Sequence, residues 1–474
     1  MGNFLEWYDF AIYGFLAPQI GAAFFASGDQ VTDLLGTFAV LGVAFVSRPF
    51  GGVLFGHFGD RLGRRGTLSA IILLMTVATA AVGLLPTQAS VGLWAPALLV
   101  VCRLAQGLSA GAEFNGAATF VVEHAPLRRR GLYASSIIST VGLGIACAAG
   151  AGVLLNAVLS EGAMDAWGWR VPFLISLPLG LSGLYMRLRL SETRAFKRAE
   201  ESNQISRMPV FEALRTHWKA ATILFFAAAA NGVNYYMMLS YIPNHLQVHV
   251  GLSGSAALGT AAAAELVLAA FAPVVGIYLY RVGPPRVLLA GMAGFLLMNI
   301  PAFMLFEFGT WTAALVGQSL LALCEGMLVV AYTLIQVELF PARVRFSGSA
   351  VAYGLAYVVF AGTAAFVATF LVDRSGTPYA APVYAMVVTL VAIGVVAAWL
   401  PGSTAPRGCA TARPWRRPDD LGERRAKHHP AGGAGVRRRP GPRRARGRHR
   451  RGRHDRERRD RAGRGGAAGR RRPR

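Results

Sequence analysis

The feature that most constrains this chain is a rhythm: apolar runs of about twenty residues recur along its first 400 positions, each the length needed to cross the hydrocarbon core of a bilayer. The spacing predicts twelve membrane helices, over residues 4–26, 32–55, 67–86, 93–122, 132–158, 171–188, 219–246, 254–280, 286–306, 311–337, 347–372 and 380–400. The one long polar interruption, Arg187 to Lys219, divides them six and six. The expected fold is therefore all-α and integral to the membrane. Two six-helix bundles, 1–188 and 219–400, flank a central loop, 189–218. A hydrophobic share of 54% against 15% charged residues excludes an ordinary soluble domain.

The formal charge of +24 would point to nucleic acid if it were spread over the chain. It is not. Residues 401–474 hold 26 of the 48 Lys+Arg, and the preceding 400 residues are nearly neutral, with 22 basic against 18 acidic side chains. The tail is rich in Arg, Gly, Ala, Pro and His and poor in aliphatics, so it cannot build a core and is expected to be disordered. Its composition resembles out-of-frame translation of a GC-rich gene, with anionic lipid or nucleic acid as the alternative readings, and no nucleic-acid partner is expected. The first 26 residues lack the basic segment of a signal peptide and carry Glu6 and Asp9, so they are read as a retained first helix. Cys102, Cys147, Cys324 and Cys409 are scattered; the first three, inside apolar runs, are expected to pack as small residues.

Lys and Arg collect in every second loop: Arg61, Arg64 and Arg65; Arg128, Arg129 and Arg130; Arg281 and Arg286; Arg343 and Arg345. Acids and neutral residues dominate the loops between. By the positive-inside rule the arginine-rich loops and both termini face the cytoplasm.

Ionisable residues inside spans are expensive and therefore functional candidates. Glu6, Asp9 and Tyr13 share one helix face by their i, i+3, i+7 spacing. An acid in low dielectric beside another carboxylate is suited to exchanging a proton near neutral pH, so Asp9 is the deeper candidate for coupling, with Glu6 beside it. In span four, Arg103, Gln106 and Glu113 fall on one stripe, and the planar fork of Arg103 suits a substrate carboxylate. The alternative is a structural ion pair of Arg103 with Glu113 or with span one. Span ten aligns Gln318, Glu325, Tyr332 and Gln336; span eight holds a lone Glu265; span seven offers Asn231, Asn234, Tyr235, Tyr236 and Tyr241, amides and phenols able to orient a small solute. Glu113 and Glu325 complete the set of coupling candidates, and Tyr13, Gln106, Asn234, Tyr235, Tyr236, Gln318 and Tyr332 join Arg103 as candidate substrate contacts.

Between spans two and three lies RPFGGVLFGHFGDRLGRRGTL, glycines for close helix approach followed by a charge cluster at the membrane surface. Asp60 there is placed to cap a neighbouring helix, and Arg61, Arg64 and Arg65 to seek carboxylates or lipid phosphates. This stretch resembles the gate loop of the major facilitator superfamily. Together with GNFLEWYDFAIYG, RLAQGLSAGAEFNGAATFVVEHAPLRRRGLYASS, WGWRVPFLISLPLGL, ETRAF and ELFPARVRFSGSAVAYGLAY, it resembles one branch, the metabolite:proton symporters that include proline/betaine, α-ketoglutarate, citrate and shikimate carriers. The resemblance implies alternating access; no nucleophile, metal-ligand cluster or nucleotide loop in the sequence argues for an enzyme, so no cofactor, metal or catalytic residue is expected. The resemblance also implies a latch in which Asp60, Arg64, Glu123 and Arg130 work with their second-half counterparts Glu338, Arg343 and Arg345.

The chain departs from that branch at Gly111-Ala112-Glu113, at AGTAAF in span eleven and at Tyr280, where the second copy of the gate loop would carry an Asp. A cytoplasmic segment expected before the first span is missing, which points to a truncated or misassigned start. The function expected is proton-coupled symport of a small organic acid or zwitterion across a bacterial inner membrane by a monomer surrounded by lipid. Antiport or uniport by the same fold, or a non-transporting receptor, are the alternatives.

Overall fold

In the computed structural model the described residues are 2–26, 28–202 and 208–403. The expectations for the basic tail fall almost entirely outside them. The described chain is helical throughout. Eleven helices among these residues are long and apolar enough to cross a membrane, and an interrupted first helix makes twelve.

The spans, in order, are α1 (Gly2–Phe15, continued by Ala17–Phe24), α2 (Gln30–Arg61), α3 (Arg64–Leu84), α4 (Trp94–His124), α5 (Arg130–Val158), α6 (Val171–Arg189) and α7 (Trp218–Tyr236, continued to Val248). Then follow α8 (Gly254–Val282), α9 (Pro284–Phe306), α10 (Trp311–Leu339), α11 (Arg345–Ala356, continued to Ser375) and α12 (Ala380–Ser403). The central segment carries two short helices, Arg194–Glu201 and Pro209–Thr216. Its Thr193 caps the first of them by accepting the Phe196 N–H at 3.2 Å.

Three spans are not regular. Helix α1 breaks at Leu16, just before Pro18, whose ring cannot continue a helix but suits its first turn. Helices α7 and α11 each contain one π-helical turn, Met237–Tyr241 and Tyr357–Ala361. Hydropathy does not change at such a turn, which is why the sequence reads both spans as continuous.

Within the first six spans α2 packs on α4, α3 on α6, and α1 on α5; within the second six α9 and α8 pack on α10, and α7 and α9 on α12. The two sets meet along α5 with α8 and α2 with α11. The α5–α8 contact is backbone to backbone: a Cβ on Gly276 would stand 2.7 Å from the Gly131 carbonyl oxygen. One apolar core runs through this seam, from Trp7, Phe114 and Ile138 to Leu268, Val329 and Tyr353. Of the three cysteines read as packing residues, Cys324 is buried but Cys147 is exposed, because its position on α5 faces away from the neighbouring helices.

Candidate functional site

Two arginine–carboxylate pairs lie buried in the first half. The first joins α1 to α4: Arg103 donates from Nη1 to Asp9 Oδ2 at 2.7 Å, and neither side chain is exposed. Gln106, one turn along α4, donates to the other Asp9 oxygen at 2.8 Å and to Thr79 Oγ1 of α3 at 2.9 Å. The Tyr13 ring lies 3.6 Å from the Arg103 guanidinium carbon, a cation–π contact, and its hydroxyl donates to the Thr37 carbonyl at 3.1 Å. The Nε and Nη2 atoms of Arg103 have no hydrogen-bond partner, so part of the fork remains for a ligand.

The second pair joins α1 to α2. Glu6 faces Arg48 at 3.4 Å, with both side chains buried. The guanidinium sits 4.6 Å from the ring centroids of both Phe10 and Phe45, and Phe45 meets Tyr236 of α7 edge to face at 5.6 Å. Sequence reasoning missed Arg48. It lies at the head of the glycine-rich stretch, and a lone in-span arginine three residues before Gly51-Gly52 was the available signal.

Across the seam the wall is aromatic. Trp7 meets Tyr235 edge to face at 5.4 Å, and Phe114 stacks on Tyr353 at 5.4 Å. Tyr357 donates to Asn231 Oδ1 at 2.7 Å, and Asn231 in turn donates to Glu325. These residues close on a central cavity of about 20 Å³, room for about one water and no solute.

Other assigned residues point elsewhere. Asn234 is held inside the second half by Thr389 at 2.8 Å and Asn299 at 3.3 Å. Gln318 donates to Thr260 of α8 at 2.7 Å. The Tyr332 hydroxyl is buried without a partner, as is the Gln336 amide. Glu113 does not meet Arg103; it packs against Gly2, with Arg187 of α6 as its main opposing charge. A stripe on one helix brings side chains to one face but not to one depth.

At the arginine-rich end the halves are tied. Asp60 accepts the N–H groups of Phe346 at 3.2 Å and Ser347 at 2.8 Å, capping the first turn of α11, and pairs with Arg64 at 3.1 Å. Arg64 also reaches the Ala342 carbonyl and Glu123. Glu123 pairs with Arg345 at 2.6 Å, and Glu338 with Arg130 at 3.2 Å. Tyr280 donates to that same Glu338 at 3.2 Å. Three of the gate-region arginines, only Arg343 of them expected in the latch, do not bridge the halves. Arg61 is exposed beside His57, Arg65 binds the Leu188 carbonyl, and Arg343 pairs with Glu212 of the central segment at 2.7 Å.

The sequence profile of the Major Facilitator Superfamily matches residues 1–345 and 224–430. The chain is 34% identical over 406 residues to the ectoine/proline transporter ProP of Corynebacterium glutamicum, covering 83% of this chain and 81% of that protein. It is 35% identical over 404 residues to the glycine betaine/proline/ectoine/pipecolic acid transporter OusA of Dickeya dadantii, covering 83% and 80%. Among solved structures, the proton:xylose symporter XylE with a bound bromodeoxyglucose superposes with a TM-score of 0.71 at 15% identity, over 84% of this chain and 94% of that one, a likeness of fold. The chain is a membrane transporter, not an enzyme, and belongs to the Major Facilitator Superfamily.

Proposed function

We propose that this chain imports a small zwitterionic solute of the proline, betaine or ectoine kind together with protons, by rocking residues 1–188 against 219–400. The observation that carries the reading is the buried Asp9–Arg103 pair at 2.7 Å. An arginine stays charged, so its partner can be a fixed carboxylate or an incoming one. Protonation of Asp9 frees Arg103 for the substrate carboxylate; loss of the proton restores the internal pair and expels the substrate. The ammonium end of a zwitterion is served by the aromatic faces of Trp7, Tyr235, Tyr236 and Tyr357. Glu6, Glu113 and Glu325 are the further carboxylates on the path. The names of the similar transporters favour a zwitterion over a simple organic acid.

The positive-inside rule supports a cytoplasmic side for the arginine-rich loops and both termini, in a bacterial inner membrane. The Asp60, Glu123–Arg345 and Arg130–Glu338 contacts then shut the cytoplasmic gate. A monomer is the working unit of this proposal.

Proteoliposomes with an inward proton gradient test the reading, using labelled glycine betaine, proline and ectoine beside α-ketoglutarate, citrate and shikimate. Gradient-driven accumulation of a zwitterion, lost in Arg103→Ala, is expected. Accumulation of a carboxylate alone would overturn the zwitterion reading, exchange without accumulation would indicate a uniporter, and proton movement opposite to the solute an antiporter.

A further inference from the structure

A cavity far roomier than the central one lies elsewhere in the molecule. A hollow of about 650 Å³ opens at the end opposite the arginine-rich loops, wholly within the second half, lined among others by Tyr241, His245, His249, Glu307 and Asp373. We infer that this hollow is a second binding site, which takes the ammonium group of a small organic cation or zwitterion. This rests in part on the zwitterion reading above, since the transported solute would be its natural ligand.

Three independent features suit a cation there. Helices α7, α9 and α11 all run toward this end, and their last residues, Val248, Phe306 and Ser375, bring three helix C-termini to the rim. The unsatisfied carbonyls of a helix C-terminus carry partial negative charge, which favours a cation within about one turn. Two carboxylates stand just at these ends: Glu307 immediately after α9, oriented by a 2.7 Å hydrogen bond from the Tyr379 hydroxyl, and Asp373 in the last turn of α11. Both are exposed.

The floor is aromatic and polar. Tyr241 stacks on His245 with ring centroids 5.8 Å apart, and His245 lies 5.3 Å from Phe303 and 5.1 Å from His249. Tyr241 and His245 are each 3% exposed, yet the Tyr241 hydroxyl and the His245 Nδ1 have no hydrogen-bond partner. A buried polar atom without a partner is costly, and both residues line the hollow, where a ligand carboxylate or water could satisfy them. Tyr241 belongs to the π-helical turn of α7, a feature common at functional sites. The nearby cation, Arg374, is turned onto the Phe370 ring and leaves the rim acidic.

The test uses tetramethylammonium, which has no carboxylate and so makes no demand on Arg103 or Arg48. Saturable binding of the labelled ion to the full chain in nanodiscs is measured for wild type, Glu307→Gln/Asp373→Asn, Tyr241→Leu and Arg103→Ala. Binding should be unchanged by Arg103→Ala and weakened at least tenfold by the exposed double substitution and by Tyr241→Leu, with wild-type elution on size exclusion. Absence of saturable binding to wild type, or binding that the double substitution leaves unchanged, overturns the site. Binding as expected in a protein that accumulates no zwitterion would leave the site standing and refute the transport reading instead.

Discussion

Glu123 at the end of α4 meets Arg345 at the start of α11 at 2.6 Å, and the topologically matching pair, Glu338 at the end of α10 with Arg130 at the start of α5, meets at 3.2 Å. Each acid thus reaches the arginine of the opposite half. The exchange turns two local charge clusters into a latch, because neither pair survives separation of the halves.

The two pairs are not equivalent. The acids Glu123 and Glu338 are 2% and 10% exposed, and their arginines Arg345 and Arg130 are 17% and 27% exposed, so the first pair is the better buried on both sides. Breaking the first should cost the closed form about 1–3 kcal/mol, within the range measured for coupled contacts, and breaking the second about 0.5 kcal/mol. Arg345→Ala is therefore expected to raise maleimide labelling of a cysteine placed at buried Ser347 far more than Arg130→Ala does, and to slow uptake at least tenfold more. Equal effects would show that the latch is not graded by burial.

Asp60 works as a helix cap as much as an ion-pair partner, since both its oxygens accept N–H groups of α11. Loss of such a cap costs about 0.5–2 kcal/mol. Asp60→Ala should abolish most uptake, while Asp60→Asn, which keeps one acceptor oxygen, should fall between it and wild type. Uptake initial rates read the order directly.

Backbone contact between α5 and α8 depends on Gly131 and Gly276 lacking a Cβ. Gly276→Val should wedge the helices apart at the arginine-rich end and make a cysteine at Ser135, fully buried in this structure, reactive toward a membrane-permeant maleimide in a background without Cys102, Cys147, Cys324 and Cys409. Unchanged protection would mean that the seam closes without that contact.

Arg48 is clamped between Phe10 and Phe45, a geometry that a lysine ammonium cannot reproduce. Arg48→Lys is expected to raise the KM for glycine betaine about tenfold or more with a smaller change in kcat. The kinetic constants from concentration-dependent uptake separate the two.

Much of this was legible before any coordinates. The apolar rhythm marks every span to within a turn or so at most ends, because crossing a bilayer demands a run of fixed length. The cost of burying charge singles out Asp9, Arg103 and Glu325. What the sequence withholds is partnership. Nothing local tells whether Glu123 will meet Arg130 or Arg345, and Arg48 was passed over because it reads as the head of the glycine-rich gate stretch rather than as an ionisable residue inside a span. Asn234 reads the same as Asn231 in a string of polar residues, yet three positions turn it from the seam into the bundle. The π-helical turns in α7 and α11 rotate side chains without altering composition. The hollow at the far end arises from the convergence of three helix ends, a property of packing alone.

The central claim is that Asp9 carries the coupled proton by exchanging it against Arg103. The most direct measurement is the alkalinisation of a weakly buffered external medium on adding glycine betaine to proteoliposomes, for wild type, Asp9→Asn and Glu325→Gln. The account predicts a solute-dependent proton uptake in wild type that is slowed but retained in Glu325→Gln and disappears in Asp9→Asn, which should still bind the solute. Proton uptake that survives Asp9→Asn would contradict it.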